Sequence, residues 1–195
     1  MCFLSRRLYE TIFHSRNLLF RINLADFTHK DKFLNASVKV LDRNSFQDLS
    51  TKDKETLKNY GGYKLIAVFR KRLAAGHRLF VAYLNGELAG ASWVYIGGKR
   101  RFFKIPLSKR DILVLDTFTI DKFRRLGVST KLNIDILKIM KQKGFQQAFV
   151  FTKEWNFHQK TIMKAGYEFV GKFYAFKFLR RNILIWSSVI DEDFL

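Results

Sequence analysis

The sequence predicts an α/β domain on a mixed, mostly antiparallel sheet flanked by helices, its first half a hairpin and its second half strand–helix–strand units. Three observations carry this. Two β-rich runs, Arg78–Leu84 and Glu87–Ile96, flank Asn85-Gly86, a dipeptide that accepts the two positive φ angles of a tight hairpin turn. Residues 111–120 (DILVLDTFTI), rich in β-branched and aromatic side chains, lead into a stretch where Val128, Leu132, Ile136, Ile139 and Met140 recur at helical spacing. Finally, 195 residues that are 48% hydrophobic and 16% aromatic suffice for one buried core and exclude a disordered chain.

The remaining elements follow in order. Ser37–Leu41 reads as a first short strand, followed by polar, helix-compatible sequence through Lys58. Residues 64–73 (KLIAVFRKRL) form a helical stretch ended by Ala74-Ala75-Gly76. Gly97-Gly98 closes the second hairpin strand, and residues 99–104 are a basic loop or strand end. A helix over residues 128–143 stops at Gly144. Residues 147–152 read as a short buried strand, 157–164 as a short helix ended by Gly166, and 167–179 as a long strand. Arg180-Arg181-Asn182 then turns the chain into a last strand over residues 183–186. With one proline, Pro106, and no Ser/Gly-rich linker, residues 36–195 read as one domain. Residues 1–35 read as a basic, apolar arm packed on or flanking it, with Phe3, Leu4, Leu8, Ile12 and Phe13 covering part of the core.

Lys and Arg number 36 against 17 Asp and Glu, a formal charge of +19. That excess favours anionic partners: nucleic acid, acidic headgroups, phosphorylated cofactors or an acidic carrier protein. Arg6, Arg7, Glu10, Arg16 and Arg21 interrupt the apolar start, so no run reaches the roughly 20 apolar residues of a membrane span, and no signal-peptide core is expected. A peripheral contact of that basic segment with a membrane remains open. The single cysteine, Cys2, excludes an intramolecular disulfide and points to a reducing, cytoplasmic setting. His14, His29, His77 and His158 are scattered without ligand spacing, so no metal is expected.

The most informative stretch is residues 119–132, TIDKFRRLGVSTKL. A strand feeds a basic loop with one glycine, and the loop opens a helix. The first helical N–H groups lack acceptors and the helix dipole favours negative charge there. Gly127 permits close backbone approach, and Arg124 and Arg125 add charge-assisted hydrogen bonds. The alternative is an ordinary solvated helix start capped by Ser129.

Arg124-Arg125-Leu126-Gly127-Val128-Ser129 resembles the Arg/Gln-x-x-Gly-x-Gly/Ala signature of the GNAT superfamily, the acyl-CoA-dependent N-acyltransferases. Ser129 stands where Gly or Ala is usual, and Thr119-Ile120-Asp121 lacks the common preceding proline. The hairpin over residues 79–95 resembles the family's second and third strands. Asn156 followed by Lys164-Ala165-Gly166-Tyr167 resembles its later motif. The resemblance spans roughly residues 38–186. It implies a GNAT-like sheet with a splayed central strand pair, and acyl-CoA, expected to be acetyl-CoA, as co-substrate. Gly127, Val128, Ser129 and Thr130 would supply amides to the pyrophosphate, beside Leu126 and the two arginines. Phe118, Thr119 and Ile120 would bind the pantetheine arm with opened backbone groups, one N–H polarising the thioester carbonyl. Asn156 would contact the CoA arm.

The implied reaction is direct attack of a primary amine on the thioester, for which a group must take the amine's proton. Asp116, in the middle of the cofactor strand, is the expected base, with burial raising its pKa; the alternative is that it pairs with an arginine. His77 and Glu154 are weaker candidates. Ile162 and Met163 occupy the positions where the family often has a general-acid Tyr, so Tyr167 or another group would serve, or the thiolate would leave unassisted.

Leu8-Tyr9, residues 18–24 and residues 72–84 loosely resemble bacterial members linked to polysaccharide or lipid-conjugate biosynthesis. That implies an amino-sugar nucleotide or other anionic acceptor beside Lys99-Arg100-Arg101. A donor carried on acyl carrier protein is the alternative. A non-catalytic nucleic-acid or membrane-surface protein is the rival class. Its support is basic-aromatic interleaving, as in Lys99–Lys104 and Lys172-Phe173-Tyr174, but no nucleic-acid motif accompanies it.

Overall fold

The computed structural model describes residues 15–28, 34–60, 66–98, 107–178 and 181–189, with side chains over 16–28, 34–60, 67–98 and 107–174. The strands are β1 (Ser15–Asn23), β2 (Ser37–Leu41), β3 (Arg78–Leu84), β4 (Glu87–Ile96), β5 (Asp111–Thr119), β6 (Gln147–Lys153), β7 (Glu168–Phe178) and β8 (Arg181–Val189). They form one sheet in the order β2-β3-β4-β5-β6-β1-β7-β8. The central pair β5–β6 is parallel; every other neighbouring pair is antiparallel. The helices are α1 (Thr51–Tyr60), α2 (Ile66–Ala74), α3 (Val128–Gln142) and α4 (His158–Lys164).

The β3–β4 hairpin turns where the sequence indicates, with Asn85 at φ 52° and Gly86 at φ 78°. Side chains alternate across a strand, so Gly90 and Trp93 of β4 face opposite sides. On one side α2 packs Phe69 against Trp93, ring centroids 5.5 Å apart. On the other, Val128 of α3 lies over Gly90. Of the apolar stripe read from the α3 sequence, Val128, Leu132, Ile136 and Met140 are buried and Ile139 is partly buried, while Ile134 and Leu137 are buried besides.

The arm departs from expectation. Its Ser15–Asn23 stretch is an interior strand, β1, hydrogen-bonded to β6 on one side and β7 on the other. Leu18, Leu19, Phe20 and Ile22 are all buried. A strand covered on both faces carries no period-2 alternation, which is why its apolar run does not announce a strand. The predicted core contacts of Phe3, Leu4, Leu8, Ile12 and Phe13, and the basic loop at 99–104, lie outside the described residues.

Candidate active site

The parallel pair is short. β5 and β6 are in register from Asp111↔Gln147 to Val114↔Val150 only. Beyond it β6 follows β1 as far as Lys153, while β5 follows β4 to Thr119. A bulge drives the divergence: Trp93 pairs with Leu115 and Ala91 with Phe118, so the single Ser92 opposes both Asp116 and Thr117. Asp116 takes φ 52° there. The Ser92 and Thr117 hydroxyls, 2.8 Å apart, fix the irregularity. The split leaves a cleft of about 700 Å³ lined by β5 from Val114 to Thr119, β6 from Val150 to Lys153, and by Ser129, Asn156 and His158.

At one end stands the helix-opening turn. Arg125 has φ 66° and Gly127 φ 89°. The first α3 bond runs from the Lys131 N–H to the Gly127 carbonyl, 2.9 Å, so Val128, Ser129 and Thr130 have N–H groups without intrahelical acceptors. Gly127, not Ser129, is the N-cap residue. Ser129 Oγ lines the cleft, is buried and has no hydrogen-bond partner among the described residues. That orphaned hydroxyl beside open amides suits a phosphorylated ligand. Arg124 is held 2.6 Å from Asp121 within the same loop; Leu126 and Arg125 are exposed.

Of the three backbone positions expected to face the donor arm, Ile120 is a correction: its N–H donates to the Ala89 carbonyl, 2.9 Å, and it lies off the cleft. Peptide groups alternate along an antiparallel ladder, so Thr119 presents its N–H and C=O to the side vacated by β6. Phe118 lines the cleft, its peptide turned to β4. Asn156 also lines the cleft, and its side-chain oxygen accepts the His158 N–H at the start of α4, 3.0 Å.

At the other end Asp116 is not buried as expected: 43% of its side chain is exposed, and its carboxylate meets Arg72 of α2 at 2.7 Å. The Arg72 guanidinium lies over the rings of Trp93 and Tyr95, 5.1 and 5.3 Å from their centroids. Burial pushes the Tyr95 phenol up to about 12, the nearby Asp116 charge adding to it against the opposing pull of Arg72. Tyr60 stacks on Phe118 at 6.2 Å.

The other acid and base candidates are placed elsewhere or held differently. His77 is buried, its Nδ1 accepting the Ile96 N–H and its ring 4.1 Å from Tyr95. Glu154 is gripped by Lys172 at 3.1 Å and Arg16 at 3.0 Å, which hold its carboxyl below the usual range. Tyr167 is buried off the cleft, and desolvation pushes its phenol far up. Ile162 is buried and Met163 exposed. His158 is a cleft residue the sequence did not single out as a site residue; burial disfavours its charged form and lowers its pKa. Its neighbour Asn156 was the available signal. Among the described residues no cluster of metal-ligating side chains occurs, and no helix is long and apolar enough to cross a membrane.

The model of the acetyltransferase (GNAT) family matches residues 43–167, most of the chain, including both split strands and the helix-opening turn. The chain belongs to the GNAT acetyltransferase family. Enzymes of this family use acyl-CoA as co-substrate. No curated protein matches the chain. Among solved structures, a GNAT-family acetyltransferase from Colwellia psychrerythraea aligns with TM-score 0.59 at 14% identity, covering 80% of this chain and 53% of its own. A GNAT-family acetyltransferase from Novosphingobium aromaticivorans aligns at 0.54 and 13%, covering 80% and 60%. A Staphylococcus epidermidis protein of unknown function aligns at 0.53 and 12%, covering 87% and 64%. These likenesses show the shared fold; the chain spans just over half to just under two thirds of those proteins' lengths.

Proposed function

We propose that this GNAT protein moves an acyl group, acetyl being the expected one, from acyl-CoA to a primary amine in the cytoplasm. The observation that supports it is the split of β5 from β6 beside the open amides of α3, which sets an unpaired strand edge next to an anion-binding turn in one cleft. Gly127, Val128, Ser129 and Thr130 hold the pyrophosphate, with Leu126 shaping the turn and Arg124 and Arg125 adding charge. Phe118 and Thr119 flank the pantetheine arm, Asn156 contacts it, and the Thr119 N–H polarises the thioester carbonyl. Asp116, exposed to solvent at the far end, accepts the amine's proton directly or through water.

Calorimetric titration with acetyl-CoA, beside the Arg124→Ala/Arg125→Ala double variant, tests the donor site. Micromolar binding that the variant weakens roughly tenfold is expected, since two charge-assisted hydrogen bonds are removed. A folded protein that gives no heat and no thermal shift with acetyl-CoA would end this reading. It would also favour the second one, a donor on an acidic carrier protein. That reading has its own support in the exposed Trp155 and Phe157, 75% and 85% accessible, of which Trp155 lines the cleft and carries the Lys153 ammonium over its ring.

A further inference from the structure

A second recess lies away from the cleft and shares no residue with it. It measures about 670 Å³, within the size range of small-molecule sites. Arg43 from the turn after β2, Lys54 from α1 and Arg70 from α2 all line it, and no carboxylate is among the described residues that do. Phe46 and Leu73 line it too and are themselves buried, which ties its walls to the core. The acids next in sequence to two of these cations are turned to other partners. Asp42 accepts the Asn44 and Ser45 N–H groups, at 2.9 and 3.0 Å, and the Ser45 hydroxyl at 3.0 Å. Asp53 accepts the Tyr83 hydroxyl at 3.1 Å, and α2 carries no acidic residue. Arg43 and Arg70 are exposed, and among the described residues neither side chain makes an ion pair or a hydrogen bond. The Lys54 ammonium donates to the Gln47 carbonyl, 2.9 Å, and keeps two further N–H donors.

Three like charges on one concave surface, with no counter-charge beside them, concentrate anions there, and a bound oxyanion relieves their repulsion. Concavity decides the class of ligand. A nucleic-acid backbone or an acidic helix needs an open track, whereas a recess of this size encloses a compact molecule. Guanidinium forks match phosphate oxygens in particular. We propose that this recess is a second anion-binding site that takes a phosphate ester, with Arg43 and Arg70 as forked donors and Lys54 as a point charge. It is independent of the acyl-transfer reading and of the turn at Arg124 and Arg125. The same chemistry is presented by a free phosphorylated small molecule and by a phospholipid headgroup, and the experiment separates the two.

Inorganic pyrophosphate is the probe, titrated into isotope-labelled protein and followed by the backbone amide resonances of Arg43, Gln47 and Arg70. These should shift and saturate with a midpoint below roughly 1 mM, the strength of a few charge-assisted contacts. Arg43→Ala/Arg70→Ala should weaken that binding roughly tenfold or more, read at the Gln47 amide, because two such contacts are removed. Both side chains are exposed, so the variant is expected to fold and to keep its acetyl-CoA affinity. Arg124→Ala/Arg125→Ala removes the same charge elsewhere and should leave the shifts at this recess within about twofold, since salt screens distant charges. Absence of shifts overturns the proposal, as do shifts that survive Arg43→Ala/Arg70→Ala or equal weakening by both double variants. Loss of acetyl-CoA binding along with pyrophosphate binding in Arg43→Ala/Arg70→Ala overturns it too, since the recess would then belong to the donor site. Failure of the unaltered protein to bind acetyl-CoA strikes the donor reading alone. Vesicles containing phosphatidic acid identify the source. Sedimentation with them that only Arg43→Ala/Arg70→Ala abolishes assigns the phosphate to a headgroup; otherwise the saturable shifts assign it to a free ester.

Discussion

The two ends of the cleft are built by different means. At the end proposed for the donor the groups on offer are backbone: amides of Val128, Ser129 and Thr130 exposed by a helix start, with Gly127 in the left-handed region and open space around its α-carbon. The side chains of Arg124, Arg125 and Leu126 there are exposed, and Arg124 is already paired within its own loop. At the end proposed for the acceptor the groups are side chains drawn from three elements, with Arg72 meeting Asp116, Trp93 and Tyr95. A site made of backbone tolerates most side-chain changes and fails when the φ/ψ path changes. A site made of converging side chains behaves the opposite way.

Removing the acceptor-end carboxylate is the sharpest way to separate the two. Asp116→Asn is expected to lower kcat by roughly 100-fold or more, the usual weight of general-base help, and to leave acetyl-CoA affinity within a few-fold. Steady-state rates and calorimetry on one preparation would show it; equal loss of both would mean that the ends are not independent. Gly90 offers the contrary test, since it lies between them. A Cβ there would sit 2.6 Å from the Phe118 carbonyl and 3.3 Å from Val128. Gly90→Ala should therefore destabilise the fold by about 1–3 kcal/mol and weaken donor binding and turnover together, measured by chemical denaturation and kinetics. Unchanged stability would show that β5 gives way freely at this point.

Gly127→Ala meets no neighbour but must hold φ 89°. It should cost about 1–2 kcal/mol of folding stability or reshape the turn, seen as weaker acetyl-CoA binding with an unaltered acceptor KM. The smallest effect concerns His158, on the donor side. Burial lowers its folded-state pKa below the ordinary value of 6.5, so below about pH 6.5 the unfolded chain binds a proton that the folded chain resists. Stability should fall as pH drops from 7 towards 5, and His158→Gln should flatten that part of the slope. Thermal melts across the range check it, and a His158 imidazole resonance titrating above 6.5 would contradict it.

Much of the fold was legible. Asn85-Gly86 marked the hairpin to the residue, and the spacing of Val128, Leu132, Ile136 and Met140 marked α3, because both signals are local: a turn needs two particular φ values, and a helix repeats its buried face. The family signature over residues 124–129 was legible for the same reason, since a helix-opening turn is a short piece of backbone. β1 was not, because a strand buried on both faces looks like any apolar run until β6 and β7 are seen on either side of it. Asp116 was picked out by position, and its pairing with an arginine was the stated alternative, but its expected burial was wrong. A bulge opposite Ser92 sets it at the surface, and no local pattern in β5 foretells that.

What the sequence determined by itself, then, is whatever lies within one turn or one helix: the hairpin, the glycine turn that opens α3, the amphipathic α3 and the basic charge. What only the tertiary structure decided is where strands part and which distant side chains meet. Arg72 and Asp116 are 44 residues apart in the chain, and their contact depends on α2 packing Phe69 against Trp93 on one face while the bulge turns β5 outward. Packing of that kind is set by shape and buried area summed over many residues, and neither is written at any one position.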